Sequence, residues 1–577
     1  MASIHTVDIA GQRSPGAIRA TWLRPGRLAA ICWVAAVVGL LSLLPIGRLL
    51  LAAIAPGWEL DLAAFAGRIT TTTALRATWH TLDTAFFGAV LAIAIGAPFA
   101  LAVALTDMPG RRTLGFLLLL PLMIAPQVTA LSWLHLFGPS SALLNALGIA
   151  PPPGTPNPVI GREGIILLYG VQHAPIVFVT LRVGLARIPR DFVEAAHAAG
   201  ASTSHLLLTI VQPLMRPYLL AASALAFVSG VGNFGIPALL GLPVNYLTLP
   251  TLIYRQMSSF GPGVLPQMAS LSVVIAALAL TGVAMQALAT RDAGRYSGGL
   301  PARLPLGRWC WPLTALAWTA ILLMVVLPAL ALVSTALVPS FGVTLTFETA
   351  TLANFTEVLT RQAATMRAFR NSTLLSASAA VILAAGVIPF ALALDRFGAR
   401  WRRGAQAALE LPYAVPGITL AIACILLFLR PLPLIGSLYA TAWIILVAYL
   451  MRFATFAARP VATAIRQIPR DLDEAAAAAG AGALRRMWTI TAPLVAPATV
   501  AGALLVFMGA FNELTVSALL WSGGNETLGV ILFSLEEAGL AAHAAAIAVS
   551  TIVAVVLILG LLDRLSGRLP AGVLPWR

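Results

Sequence analysis

Residues 188–200 read IPRDFVEAAHAAG, and residues 468–480 read IPRDLDEAAAAAG. The likeness continues downstream, where Pro213 of the first copy stands at the same offset as Pro493 of the second. Alanine-rich composition can produce a few chance identities. It does not produce matched arginine, glutamate, glycine and proline positions together. The chain is therefore a tandem duplication.

The composition places the chain in a lipid bilayer. Hydrophobic residues make up 59% of its 577 residues and charged residues only 10%, with a mean hydropathy of +0.91. A soluble globular domain carries about 25% charged residues, so that class is excluded. We predict an all-α membrane protein with about twelve transmembrane helices, because apolar runs of about 20 residues are long enough to cross a bilayer. These runs lie near 29–46, 85–105, 114–136, 165–186, 218–241, 267–289, 311–337, 372–394, 405–429, 435–457, 498–521 and 541–563.

The predicted spans divide equally between the two copies. Six fall in a first repeat, 1–289, and six in a second, 309–577. A stretch rich in glycine, proline and arginine, 290–308, is predicted to be a cytoplasmic linker between them. An even number of spans per repeat gives both repeats the same orientation, and internal repeats are typical of transporters.

The distribution of basic residues predicts the orientation. The 36 lysine and arginine residues are all arginine, and most lie in loops that are cytoplasmic if the N-terminus is inside. Cytoplasmic loops retain such an excess, so we expect both termini and both duplicated segments in the cytoplasm. The net charge of +15 then reflects topology and contact with anionic membrane lipid. It gives no reason to expect a nucleic-acid partner.

Each duplicated segment is predicted to begin with a capped helix. Asp191 precedes Glu194 by three residues, and Asp471 precedes Glu474 by the same spacing. This is a variant of the capping box, in which the aspartate accepts hydrogen bonds from free backbone N–H groups and the glutamate reaches back. A short helix should therefore start at each aspartate.

The other features of the segment favour docking to a protein. Gly200 and Gly480 stand where a helix ends in a left-handed turn. The residues before them are almost all alanine, which offers little apolar area to lipid but lets another backbone approach closely. One copy alone could be an ordinary loop helix between the fourth and fifth spans. Two copies on one side of the membrane favour a docking role.

The motif EAAxxxG, followed about ten residues later by I-x-x-P, resembles the EAA loop of binding-protein-dependent ABC importer permeases. In that family a short coupling helix in this loop sits in a cleft of the ATP-binding subunit. The resemblance covers both halves, including span count and loop position, and it implies the MetI-like permease fold. By this resemblance two coupling helices lie near 191–200 and 471–480. Their residues are Asp191, Glu194, Ala195, Ala196 and Gly200 in the first copy, and Asp471, Glu474, Ala475, Ala476 and Gly480 in the second.

The sequence contains no lysine. A P-loop needs a lysine that reaches the β- and γ-phosphates, so ATP hydrolysis is expected on a partner chain. The chain is then a transport subunit rather than an enzyme, without a cofactor of its own, and ATP and Mg²⁺ belong to the partner. Two coupling helices imply two ABC ATP-binding subunits. The resemblance also implies a periplasmic solute-binding protein and a place in the bacterial inner membrane.

Few polar side chains lie within the predicted spans. Glu410 falls in the ninth span and Glu513 in the eleventh, while Asn233 and Asn512 take matching places in the fifth span of each half. Polar and ionisable groups at membrane depth mark functional sites by default, so these four are candidate residues of the translocation pathway. For the asparagines, hydrogen bonding between helices is the alternative, and it is the one we expect.

No metal site or disulfide is predicted. His135 and His173 have no carboxylate companions, so they do not make a zinc-type site. Cys32, Cys310 and Cys424 fall in or beside different spans with no paired spacing.

An ion-coupled secondary transporter is the main alternative function, since twelve spans in two parallel repeats describe that class too. The scarcity of charge within the spans and the duplicated docking helix argue against it. Fused two-half permeases of this length resemble the ferric-iron importer group, with thiamine and 2-aminoethylphosphonate importers close to it. We therefore expect translocation of a small solute, with ferric iron as the first choice.

Overall fold

The structure is a computed structural model that describes residues 25–290, apart from 260 and 262, and residues 304–565, apart from 432, 434 and 435. This part of the chain consists of helices and the loops between them. Ten helices are long and apolar enough to cross a membrane, and two bent helix pairs bring the total to twelve. The prediction of an all-α protein with about twelve spans is confirmed.

The six spans of the first half are Leu28–Ile54, Thr72–Leu105, the bent pair Arg111–Met123 and Pro126–Leu136, Arg162–Leu185, Thr203–Val231, and Val264–Ala289. The six spans of the second half are Gly307–Ala336, Ala363–Asp395, the bent pair Ala399–Ala414 and Gly417–Phe428, Ala442–Gln467, Ala483–Phe511, and Ala541–Ile558. We number them one to twelve along the chain. The duplicated segments follow the fourth and tenth spans and so lie on one side, called here the loop side; the opposite side is the far side.

Several predicted boundaries are wrong. The second span begins at Thr72 instead of near 85, and the eighth at Ala363 instead of near 372. In each case the added turns carry polar and basic residues, so hydropathy alone places the start too late. The fifth span ends at Val231 and the eleventh at Phe511, both earlier than predicted. Short helices follow them, at Gly235–Leu240 and Ser517–Leu520.

The third and ninth spans are broken rather than continuous. Their two arms meet at angles of 103° and 101°. Proline stands at each break, as the first residue of the second arm at Pro126 and as the N-cap residue at Pro416. Proline has no N–H to continue the helical ladder and forces the preceding residue out of helical geometry. The repeat has therefore kept one break per half.

Prolines also explain π-helical turns at matching places. Such a turn covers Leu207–Val211 in the fifth span and Met487–Thr491 in the eleventh, each ending two residues before a proline. The first and seventh spans repeat the arrangement at Gly39–Leu43 and Leu322–Val326. A proline ring clashes with the carbonyl four residues earlier, and a wider turn relieves that clash.

The second and fourth spans pack against each other through glycines. A Cβ atom added at Gly96 would lie 2.5 Å from the carbonyl oxygen of Ala174, and one at Gly88 would lie 2.5 Å from Cβ of Tyr169. Apolar surface gives helices little reason to associate inside lipid, so close backbone approach at small residues supplies the contact. This pairing holds the fourth span, and the duplicated segment after it, on the first half.

Shorter helices cover the far side and connect the spans. Leu62–Ile69 precedes the second span and is capped by the Asp61 side chain. Leu249–Gln256 precedes the sixth span, and Leu528–Glu537 precedes the twelfth. These two begin at the far side, where they meet the ends of the second and eighth spans.

Most of the predicted linker, 290–308, lies outside the described residues, as do both chain termini. The described end of the linker lies along the loop-side end of the second span. The Leu304 N–H donates to the Leu105 carbonyl at 2.6 Å, and the Leu306 N–H donates to Asp107 Oδ1 at 3.0 Å. The boundaries of the two repeats stay a prediction.

Candidate functional site

The two duplicated segments form short helices on the loop side. The first covers Arg190–Ala198 and the second Arg470–Ala478, and we call them the first and second loop helices. Each carries an aspartate in its first turn, Asp191 or Asp471, where the helix dipole stabilises negative charge. Each helix begins one residue before the aspartate that was predicted to cap it.

The predicted capping box is wrong in both copies. Pro189 and Pro469 are the N-cap residues, and neither loop helix has a side-chain cap. A capping box needs an N–H at the N-cap residue to receive the glutamate, and proline has none. Glu194 pairs instead with Arg190, one turn earlier, and both side chains are more than half exposed. Such a pair contributes only about 0.3–0.5 kcal/mol.

The predicted left-handed turns are confirmed. The backbone φ is +78° at Gly200 and +81° at Gly480. The Gly200 N–H donates to the His197 carbonyl and the next N–H donates to the Ala196 carbonyl, both at 2.9 Å. The second loop helix ends with the same two bonds at 3.0 Å. This double bond pattern closes a helix and sets the direction of the chain that leaves it.

The alanines form an open face on each loop helix. Ala195 and Ala475 are exposed, while Ala196 and Ala476 are half-buried. The exposed carboxylates of the two glutamates lie on the same short helices. The described chain does not cover this face, and a row of methyl groups leaves room for another backbone to approach closely.

Apolar packing holds the first loop helix against its half. Val193 is 4% exposed, and Leu206, in the chain after the helix, is fully buried. Both belong to one cluster of buried side chains with Leu185 and Ile188. We call this contact the first seat. It resembles the interior of a soluble domain.

Charged residues hold the second loop helix. At the positions of Val193 and Leu206 the second half has Asp473 and Arg486, whose Oδ2 and Nη1 atoms are 3.3 Å apart. Arg486 Nη1 also donates to the Asp473 carbonyl at 3.2 Å, while its Nε is buried without a partner among the described residues. A cavity of about 280 Å³ adjoins the pair, lined in part by Ile465 and Ile490. We call this contact the second seat.

A buried ion pair lies at the break of the ninth span. Glu513 is 7% exposed and accepts hydrogen bonds from the Val516 N–H at 2.9 and 3.1 Å. Its Oε1 is 3.8 Å from Nε of Arg452 in the tenth span. Arg452 also donates through Nη1 to the Val415 carbonyl, at the break itself, at 3.5 Å. The prediction placed Glu513 inside the eleventh span, but it follows the end of that helix.

The first half has an uncharged version of this arrangement. Gln172 takes the position of Arg452 and donates through Nε2 to the carbonyls of Pro121 at 2.5 Å and Ile124 at 3.4 Å, at the break of the third span. Asn233 stands at the position of Glu513, and each of these two buried side chains accepts the N–H of the residue three places later, Ile236 or Val516. In both halves a side chain of the long helix after the break satisfies a carbonyl that the broken helix leaves free, as a buried acceptor requires.

The two asparagines lie at the ends of the fifth and eleventh spans rather than within them. The prediction that they take matching places is wrong, because Asn512 is the C-cap residue of its helix and so matches Gly232, while Asn233 is one residue further on. Asn233 accepts the Ile236 N–H at 3.1 Å and so caps the short helix that follows. Asn512 donates through Nδ2 to the Met123 carbonyl of the other half at 3.3 Å and to the Met508 carbonyl at 3.2 Å. Asn512 therefore joins the two halves, and the pathway role of both residues stays a prediction.

Glu410 lies in the first arm of the ninth span and pairs with Arg459 of the tenth. The two nitrogen–oxygen distances are 3.0 and 2.9 Å, in a two-pronged geometry. The Glu410 side chain is 38% exposed and the Arg459 side chain 68%. Because water reaches this pair, it resembles a surface ion pair more than the one at Glu513.

The two histidines have different neighbours. His135 Nε2 is 3.5 Å from Glu536, whereas His173 is buried beside the Tyr169 ring. Within the described residues, no group of three His, Cys, Asp or Glu side chains could hold a metal ion.

The family model for binding-protein-dependent transport system inner membrane components matches the chain twice, over residues 89–295 and 387–571. Each match contains one broken span and one loop helix. The chain belongs to this family. It is a permease in which two family domains are fused.

Known relatives agree with this result. A probable ABC transporter permease protein of Sinorhizobium fredii is 30% identical over 440 residues, which are 74% of this chain and 75% of the relative. An Fe(3+)-transport system permease protein of Haemophilus influenzae is 23% identical over 389 residues, 66% of this chain and 72% of the relative. A putative 2-aminoethylphosphonate transport system permease protein of Salmonella paratyphi A is 28% identical over 180 residues, 31% and 66% respectively.

Membership in the family gives the permease its general role. It is a multi-pass component of an ABC transporter in the inner membrane, a transport subunit rather than an enzyme. Its family implies ATPase and binding-protein partners.

Sequence reasoning missed Arg452 and Gln172. Both stand three residues after a fully buried tyrosine, Tyr449 or Tyr169, in the register that aligns the duplicated segments. Extending that register backwards from the loop helices would have paired them. The pairing of Arg452 with Glu513 could not be read in this way, because Asn233 takes the place of the glutamate in the other copy.

Proposed function

We propose that the permease imports ferric iron, received from a periplasmic binding protein and driven by two ATP-binding subunits. The ferric-iron permease of Haemophilus influenzae supports this substrate, because its similarity extends over 66% of this chain and so includes both halves. The similarity to the 2-aminoethylphosphonate permease covers 31%. A relative that shares the fused arrangement is the better guide to the whole transporter.

The pair of exposed loop helices is the observation that carries the coupling role. Each presents alanines and a glutamate on the same side of the membrane, and each leaves through a fixed left-handed turn. Two equivalent docking helices on one chain match two copies of an ATPase. In this proposal Asp191, Glu194, Ala195, Ala196 and Gly200 contact one copy, and Asp471, Glu474, Ala475, Ala476 and Gly480 contact the other.

The proposed orientation puts the loop side and both termini in the cytoplasm. The arginine distribution supports it, since cytoplasmic loops retain basic residues. ATP and Mg²⁺ bind the partner, and the permease carries no cofactor of its own. The binding protein then docks on the far side.

Closure of the ATPase dimer would draw the two loop helices together. The breaks of the third and ninth spans are the places where such movement can change the pathway, because a broken helix can reorient as two rigid arms. Glu513, Asn512 and Asn233 lie beside these breaks, and Glu410 lies toward the loop side. We propose that the two glutamates line or gate the pathway. For the asparagines a pathway role is the alternative to hydrogen bonding between helices, which we favour.

2-Aminoethylphosphonate is the second candidate substrate, because the similarity to the Salmonella relative extends over 180 residues at 28% identity. Thiamine is the third, on the sequence resemblance alone. Uptake assays with the three labelled solutes, using the permease with its ATPase and binding protein in proteoliposomes, distinguish them.

The same assay tests the transport class. We expect uptake that requires ATP and the binding protein and that stops with vanadate. Uptake driven by an ion gradient without ATP would instead establish a secondary transporter. A double Glu194→Ala/Glu474→Ala variant tests the coupling helices: we expect ATPase co-purification to fall further than in either single variant.

A further inference from the structure

A basic pocket opens on the far side of the first half. Its volume is about 130 Å³, and it lies between the first turns of the second span and the loop before Leu249–Gln256. Arg76, Arg255, His80 and Asn245 line it together with two threonines. No carboxylate is among its lining residues.

The positive charge of this pocket is not neutralised. Arg76 has no hydrogen-bond or ion-pair partner in the part of the chain that the structure describes. Arg255 donates one bond, to Asn245 Oδ1 at 2.8 Å, and keeps its other donors. The second span begins at the pocket with Thr72, so the positive end of its dipole adds to the two guanidinium groups.

Two hydrogen bonds fix the loop that forms one wall of the pocket. The His80 ring meets the Leu247 carbonyl through Nδ1 at 2.9 Å, and Thr81 accepts the Leu249 N–H at 2.8 Å. The His80 ring also stacks on Tyr246 at 3.9 Å between centroids. The positions of these groups are therefore set by the fold.

The second half repeats these two hydrogen bonds between a span and the loop that lies against it. We call each such pair of contacts a far-side joint. Asn371 takes the place of His80 and donates to the Glu526 carbonyl at 3.1 Å, while Ser372 accepts the Leu528 N–H at 2.9 Å. Arg367 takes the place of Arg76. The two far-side joints thus have the same backbone geometry and can be compared residue by residue.

The joints differ in one carboxylate. Arg367 faces the Glu526 side chain, with nitrogen–oxygen distances of 3.4 and 3.5 Å, and Glu526 also accepts the Gly524 N–H at 3.0 Å. Burial opposes ionisation, but the Gly524 N–H and the Arg367 guanidinium outweigh it and hold the pKa of Glu526 below its usual range. The first half has Leu247 at this position, so Arg76 has no such partner.

We propose that the pocket at Arg76 and Arg255 binds an oxyanion, a carboxylate or phosphate group, in the role that the Glu526 side chain has in the second half. The size agrees, because about 130 Å³ is room for about four water molecules at roughly 30 Å³ each. Two guanidinium groups and the threonine hydroxyls supply the charge-assisted donors that such a group requires.

The anion has two possible sources, a free anion or an acidic side chain of the binding protein. Equilibrium dialysis of radiolabelled inorganic phosphate against the purified permease tests the first. We expect one saturable site, weakened about tenfold or more by Arg76→Gln or Arg255→Gln, since a hydrogen bond to a charged group has about that effect. Arg361→Gln, at a far-side arginine whose side chain is 74% exposed, is the charge-matched control and should bind as the parent does.

Transplanting the carboxylate sharpens the test. Leu247→Glu should fill the first pocket from within and abolish phosphate binding, whereas Glu526→Gln should create a second site by freeing Arg367. Size-exclusion profiles confirm that each variant folds. Phosphate binding that persists in both Arg76→Gln and Leu247→Glu would overturn the proposal.

The second source of the anion, an acidic side chain of the binding protein, rests on the proposed function and is tested by a separate measurement. If the carboxylate comes from the binding protein, phosphate binds weakly or not at all, and Arg76→Gln and Leu247→Glu raise the half-saturating concentration of binding protein at least about tenfold. The maximal uptake rate stays unchanged. No phosphate binding and an unchanged half-saturation overturn the proposal. Parent permease that shows no dependence on a binding protein would instead refute the proposed function.

Discussion

Four ion pairs of the second half occupy positions where the first half has no ion pair. These are Asp473–Arg486 for Val193 and Leu206, Arg452–Glu513 for Gln172 and Asn233, Arg459–Glu410 for Val179 and Leu119, and Arg367–Glu526 for Arg76 and Leu247, where one charge remains. The backbone geometry at these places is shared by the two copies. At these four places the second half is held by charge and the first largely by packing and neutral hydrogen bonds. Elsewhere the first half has an ion pair of its own, Arg162–Asp83, at 2.6 Å.

The difference predicts different responses to mutation. A packed contact loses stability in proportion to the volume removed. An ion pair loses little when exposed, but a buried pair that loses one partner leaves an uncompensated charge. Exchanging residues between the halves tests whether the two chemistries are equivalent solutions.

The largest effect is expected at the buried pair beside the ninth-span break. Arg452→Leu leaves the Glu513 carboxylate buried without its cation, and we expect a loss of roughly 3–5 kcal/mol. Thermal unfolding of the purified permease in nanodiscs, followed by intrinsic fluorescence, measures this loss. Gln172→Leu removes only a neutral donor from the equivalent carbonyls and should cost about 1–3 kcal/mol.

The matched control copies the first half into the second. Arg452→Gln/Glu513→Asn reproduces the Gln172 and Asn233 pair and removes both charges together. We expect it to be closer to the parent than Arg452→Leu alone, since removing both partners avoids the buried charge. A double variant less stable than the single would show that the charges themselves are needed at this break.

The second effect concerns the seats of the loop helices. Val193→Asp puts a carboxylate into the apolar first seat and should cost about 2 kcal/mol. The first loop helix should detach and ATPase co-purification should fall. Asp473→Val in the second seat removes a half-exposed pair and should change stability by less than about 1 kcal/mol.

High salt separates these two cases further. The second seat depends on an ion pair with an Asp473 side chain that is 58% exposed, so salt should weaken it. The first seat should be insensitive. Equal loss of ATPase binding by both variants at low salt would contradict the distinction between the seats.

The fold was predictable to the extent that it depends on hydropathy and repetition. Span number, repeat orientation and the two loop helices follow from apolar runs and the IPRD motif. The breaks at Pro126 and Pro416 could not be predicted from the sequence, because proline also occurs within continuous spans of this chain, at Pro98 and Pro389. Whether a proline bends a membrane helix depends on the neighbours that satisfy the freed carbonyls.

The site was predictable only where one copy repeated the other. Gly200 and Gly480 were identified because both copies have them at a helix end. The capping box failed because the helix starts at Arg190, one residue before the aspartate. The ion pairs of the second half escaped detection because a pair between distant spans leaves no trace in local spacing.

A smaller effect is expected at the helix ends, where the two halves should respond alike. Gly200→Ala and Gly480→Ala put a side chain at φ near +80°, which should cost about 1–2 kcal/mol per site. No atom lies within 4 Å of the added Cβ at either position, so the cost is purely conformational. Gly482→Ala is the control, since its φ is −66° and its surroundings are equally open. A loss of stability in the control would contradict this explanation.

The smallest loss of stability is expected at the asparagines. Comparing them distinguishes a hydrogen bond between the two halves from a hydrogen bond within one half. Asn512→Leu removes the bond to the Met123 carbonyl and should cost about 0.6 kcal/mol, the typical value for such bonds in membranes. Asn233→Leu removes only a local cap of the next helix. If both residues merely bridge, uptake per assembled complex stays at the parent level in both variants. A loss of uptake at unchanged thermal stability in both variants would place both residues in the pathway. A loss of uptake in Asn512→Leu alone would place the pathway beside Asn512, the asparagine whose side chain bonds to the other half.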